Sequence, residues 1–120
     1  MYFAAALQTK IYGCRVRGEI DANLETIARA IDGVMFTGPM EGPVKLIALC
    51  EGALQGFHDE ITDMPHLDYC ERLATTVPGP EVEALATKAR QHRATQTMEQ
   101  HTERGITSLR LAPGSPSQTA

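Results

Sequence analysis

The sequence predicts an α/β chain that ends in an irregular polar tail. Two short apolar runs alternate with two stretches of helical periodicity, the order expected when helices cover a largely parallel sheet. Beyond residue 90 that alternation fades into polar, Pro- and Gly-containing sequence.

The apolar density of Tyr2 to Thr9 predicts a first strand, broken at Gly13. Leu24, Ile27, Ala28 and Ile31 then recur at the spacing that lines one helix face. Asp21 or Asn23 is placed to cap that helix and Gly33 to end it. Thr37 to Pro43 holds two prolines and two glycines, which sustain neither helix nor ladder, so it reads as a loop. Val44, Leu46, Ile47, Ala48 and Leu49 form a near-continuous apolar run, the pattern of a strand buried on both faces. From Gly52 to Thr76 acidic residues and histidine predominate and Pro65 forbids one continuous helix, which predicts loop with short helical turns. Pro80 suits the first position of a helix outlined by Val82, Leu85, Ala86 and Ala89 and running to about Arg90. Gln91 to Gln100 has no helical stripe, and Ala112 to Ala120 is rich in Pro, Gly, Ser and Thr. Only Ile106, Leu109 and Leu111 offer that tail an apolar contact.

At 120 residues the chain predicts one domain. Its 15 acidic against 11 basic residues include no Lys/Arg cluster able to neutralise a run of phosphates, which argues against nucleic acid as a partner. Gln8, Thr9 and Lys10 interrupt the apolar start before a signal segment or membrane span develops, so the expectation is a cytoplasmic protein without a membrane partner. Cys14, Cys50 and Cys70, an odd count, read as free thiols in a reducing compartment.

The feature with most chemical content is Glu51, placed where the buried run Leu46 to Leu49 ends. Ligands of open α/β sheets gather at the carboxyl ends of strands. A carboxylate desolvated there has its pKa raised toward that of a general base, whereas one that simply opens a loop stays solvated. Strand alternation sends Cys50 and Glu51 to opposite sides, so they are not expected to converge. His66 and Cys70, with His58 and Asp63 nearby, have a spacing compatible with a metal pair or a Cys–His dyad. Two ligands fall short of the four that structural zinc needs, and Tyr69 and Leu73 are the expected buried face of that segment. Arg15, Arg17, His92, Arg93 and His101 are expected in solvent.

Several of these segments together resemble the opening of a nitrilase superfamily protein, a carbon–nitrogen hydrolase. They are Asn23-Leu24-Glu25-Thr26-Ile27, Lys45 to Leu49, Glu51-Gly52-Ala53-Leu54-Gln55-Gly56-Phe57, and Val77-Pro78-Gly79-Pro80-Glu81 with Leu85-Ala86. The likeness covers about residues 4 to 90, and the order and spacing of the segments are more specific than any single motif. It implies a four-layer α-β-β-α sandwich, of which this chain supplies the first strands and helices. It also implies that Glu51 is the general base of a Glu-Lys-Cys triad, acting on small amides or nitriles without cofactor or metal. Cys50 stands where the family usually has proline. The family's lysine and nucleophilic cysteine follow on later strands, and nothing from Gln91 onward resembles those segments.

The resulting expectation is a partial carbon–nitrogen hydrolase domain over residues 1–90 and a divergent, disordered tail over 91–120. Such a chain is a truncated hydrolase, inactive alone and retaining only the base, that works if another chain supplies lysine and cysteine. The alternative is a non-catalytic interaction module that pairs with itself as a homo-oligomer or with a full-length homologue.

Overall fold

The computed structural model describes residues 1–37, 42–56, 64–102 and 105–114. They form a small α/β domain with a four-stranded mixed sheet in the order β1-β2-β3-β4 and three helices. The elements run β1 (Phe3–Leu7), α1 (Arg17–Thr37), β2 (Val44–Leu49), α2 (His66–Arg72), α3 (Pro80–His92), β3 (Thr95–Thr102) and β4 (Gly105–Leu111). Strands β1, β2 and β3 are parallel, and β4 returns antiparallel to β3.

The helices α1 and α3 lie on one face of the sheet. Ile20, Ile27 and Ile31 of α1 and Val82, Leu85 and Ala89 of α3 are buried with Ile47 and Leu49 of β2, Met98 of β3, and Leu109 and Leu111 of β4. Helix α1 is longer at both ends than its periodicity predicts. Its start is tied by the Glu19 carboxylate, which accepts the backbone N–H of Arg15 at 2.6 Å and of Val16 at 3.4 Å, the reach-back half of a capping box. Asn23, expected as a cap, is instead buried inside the helix. Gly33 does not end the helix, because Val34 and Met35 beyond it still pack against the core. That packing outweighs the roughly 1 kcal/mol that a mid-helix glycine costs.

Residues 91 onward overturn the expected irregular tail, since β3 and β4 are half of the sheet. In β3, Gln96, Met98 and Thr102 are buried while Thr95 and Thr97 are half-buried and Glu99 is exposed. In β4, Leu109 and Leu111 are buried while Ser108 and Arg110 are exposed. This is period-two alternation, disguised in the sequence by a polar residue on the inward face. Gln96 is accommodated there when its amide is oriented with the nitrogen toward Leu85 and the oxygen toward Ala89, so that it donates to the Leu85 carbonyl at 3.2 Å and accepts from the Ala89 N–H at 3.1 Å. Residues 115–120 lie outside the described residues.

Helix α3 begins at Pro80 as predicted and extends two residues past Arg90. Gly79 precedes it because a Cβ there would stand 2.4 Å from the Thr76 carbonyl oxygen. Two ion-pair groups bind the helices together, and both involve residues expected in solvent. Arg17 donates to the Glu81 carboxylate at 2.8 Å and to the Ala74 carbonyl at 2.9 Å. Asp32 of α1 accepts from Lys88 at 2.7 Å and lies 2.8 Å from His92 Nε2, both on α3. Among the described residues no helix is long and apolar enough to cross a membrane.

Candidate functional site

Strand β2 lies between β1 and β3, and its apolar run ends at Leu49. The chain then turns through Cys50 and Glu51 into Gly52-Ala53-Leu54-Gln55-Gly56, all five of which are buried. Gly52 (φ 69°) and Gly56 (φ 72°) adopt left-handed backbone, and a Cβ on Gly56 would meet the Tyr12 carbonyl oxygen at 2.5 Å. The turn is closed by Gly56 N–H to the Gly52 carbonyl at 2.7 Å and joined to β3 by Gly52 N–H to the Glu99 carbonyl at 3.3 Å.

Asn23 anchors this turn from below. Its amide donates to the carbonyls of Tyr12 at 2.7 Å and Leu54 at 2.9 Å, and its oxygen accepts the Tyr12 N–H at 3.1 Å. Cys14 N–H adds a bond to the Gln55 carbonyl at 2.8 Å. The residue that sequence reasoning placed at a helix cap thus holds the loop after β1 against the loop after β2. Asparagine is suited to this because one side chain presents both donors and acceptor.

Glu51 lines an open cleft of about 250 Å³ with Leu49, Thr97, Met98, Glu99 and Ser108. Cys50 is half-buried against the core and does not line the cleft, so the neighbours diverge as strand alternation requires. Glu51 itself is exposed, so the desolvation foreseen for it is not supplied by the described residues. A second carboxylate, Glu99, enters the same cleft and accepts from Ser108 Oγ at 3.2 Å across the β3–β4 pair. Its presence was invisible in the sequence, because it depends on how β3 pairs.

Among the described residues, none that lines the cleft is a lysine or a cysteine. Lys10 lies 5.1 Å from the Tyr12 ring centre, Lys88 is paired with Asp32, and Lys45 sits at the opposite end of β2. Burial, reinforced by the Glu19 charge, pushes the Cys14 thiol up despite its hydrogen bond with Asn23, which makes it a poor nucleophile at neutral pH. Cys70 is half-buried on α2, while His58, Asp63 and the side chain of His66 lie outside the described residues. Among the described residues no three His, Cys, Asp or Glu side chains converge as metal ligands would.

The arrangement therefore presents one carboxylate at the carboxyl end of an interior parallel strand, held by a buried glycine-flanked turn, with a second carboxylate across an open cleft. In comparisons with known proteins, no family model matches the chain and no curated protein matches it significantly.

Proposed function

We propose that the chain is the N-terminal portion of a nitrilase-type carbon–nitrogen hydrolase domain, in which Glu51 is the general base and which does not turn over substrate by itself. The observation that carries this reading is the placement of Glu51 immediately beyond β2, lining the cleft at the carboxyl end of the parallel strands. The resemblance of residues 4 to 90 to that family supplies the role. In such chemistry a thiolate attacks the amide or nitrile carbon, the glutamate takes the thiol proton and later activates water, and a lysine stabilises the developing charge on the substrate. Glu51 supplies the proton-accepting part alone, since among the described residues neither a lysine nor a cysteine lines its cleft.

Two measurements test the reading. Incubated with short aliphatic amides, nitriles and N-carbamoyl compounds, the chain alone is expected to release no ammonia above background. A chimera joining it to the lysine- and cysteine-bearing portion of a nitrilase-type hydrolase is expected to release ammonia, and Glu51→Gln to lower that rate by about 10²-fold or more, the usual contribution of a general base. A folded chimera indifferent to Glu51→Gln would sink the assignment.

A further inference from the structure

Strand β2 breaks its own alternation near its start. Val44 and Ile47 are both buried although they are three residues apart, whereas a regular strand repeats its inward face every second residue. The pairing with β1 accounts for this. Phe3 partners Val44 and Ala4 partners Leu46, so Lys45 is an extra residue with no partner across the pair. Such an irregularity re-aims a side chain, and here Lys45 lines the same depression as its neighbour Leu46. The depression, of about 360 Å³, lies at the end of β2 remote from Glu51 and is lined also by Tyr2, Thr95 and Arg110. Arg110 is level with Thr97, which sets it diagonal to Thr95 across the β3–β4 pair, within reach of a long side chain.

Among the described residues this lining contains two cations and no carboxylate. Arg17, Arg29, Lys88 and Arg90 are each paired with a carboxylate of the chain, but Lys45 and Arg110 are exposed and have no ion pair among the described residues. In a chain of formal net charge −4, two unpaired cations at one depression are a local reversal of sign.

We infer that this depression binds a phosphoryl dianion, either free or as the ester of a small molecule. A guanidinium presents a fork of donors that matches two oxygens of such an anion, and an ammonium adds a compact charge. Tyr2 and Thr95 carry hydroxyls that donate and accept, which suits a group whose oxygens are partly protonated near neutral pH. Two charges on the ligand answer the two cations, as the single charge of a carboxylate does not. Leu46 and the Tyr2 ring supply an apolar wall for the body of an ester, in a volume within the small-molecule range.

A ¹⁵N NMR titration of the full chain tests the inference, with inorganic phosphate, phenyl phosphate and acetate each added at a constant ionic strength of about 0.15 M. The amides of residues 44–46, 95 and 110 are expected to shift and saturate with a Kd for phosphate on the order of 1–10 mM, the range open to a few exposed charge pairs. Acetate is expected to bind several-fold more weakly. Equal affinity for the two phosphates would support the free ion as ligand, and tighter binding of phenyl phosphate would support an ester. Lys45→Gln and Arg110→Gln should each raise Kd about three- to fivefold, and the double variant about tenfold or more, while Lys45→Arg retains binding. The same spectra report whether each variant is folded, and should the double variant unfold, the single variants decide. Shifts that climb without saturation to about 50 mM, that fall away from these residues, that acetate reproduces, or that persist unchanged in the folded charge variants would each overturn the proposal. The site is at the far end of β2 from Glu51, so failure here would leave the role of Glu51 in hydrolysis untouched.

Discussion

At the scale of single residues, the buried polar groups constrain the chain more tightly than the apolar ones. Asn23 is 1% exposed and joins three backbone segments. Asn23→Ala leaves the Tyr12 and Leu54 carbonyls without its N–H donors in the interior. It is expected to cost about 3 kcal/mol in urea denaturation, far more than an exposed helix substitution. Cys14 is fully buried and its thiol is held neutral by that burial, whereas Cys50 and Cys70 are half-buried. Titration of native protein with a disulfide reagent should modify Cys50 and Cys70 first, with Cys14 reacting only on unfolding. Asp32 carries a sharper signature. Hydrogen bonds from Lys88 and His92 hold its carboxyl below the ordinary 3.8. A depressed folded-state pKa stabilises the fold at pH above the unfolded value, and this contribution is lost as pH falls from there through the folded value. Stability should therefore decline on acidification below about pH 5, and Asp32→Asn should flatten that part of the profile. An unchanged acid limb in the variant would show that the pair does not contribute.

At the scale of elements, β3 and β4 decide whether the domain holds together. Strand β3 lies beside β2 and carries β4, and Met98, Leu109 and Leu111 complete the core beneath them. Leu109→Ala is expected to destabilise by about 3 kcal/mol through lost transfer energy and the cavity left behind. In an irregular tail the same substitution would be silent, so the denaturation midpoint separates the two descriptions. Hydrogen exchange gives a second view, with the amides of residues 95–98 protected to the level of β2. Residues 4 to 90 alone would leave the β3-facing edge of β2 unpaired and the lower surface of α3 uncovered, which is why the boundary drawn at residue 90 does not bound a folding unit.

The described residues form two layers, one of sheet and one of helix, with a shortest extent of 20 Å. A two-layer domain leaves one sheet face to be covered by something else or to remain in water. On that face Ala4 and Ala6 are exposed and Leu46, Ala48, Thr95 and Thr97 are half-buried.

What the sequence by itself determined were the elements whose signal is local. The apolar run 44–49, the stripes of α1 and α3, and Pro80 as a helix start each depend on neighbours within a turn or two, and each is present. The position of Glu51 at a strand end followed from the same local reasoning, as did its divergence from Cys50. Tertiary structure alone decided the continuation of α1 past Gly33, the burial of Asn23, the ion pairs of Arg17 and His92, and the conversion of residues 95–111 from apparent tail to half a sheet. In each case the stabilising partner is distant in sequence. Gln96 is tolerable inside only because α3 offers it a carbonyl and an N–H, and Glu99 reaches the cleft of Glu51 only because β3 pairs with β2 in this register. Periodicity reports what a segment buries, but not which polar groups the rest of the chain will bring to meet it.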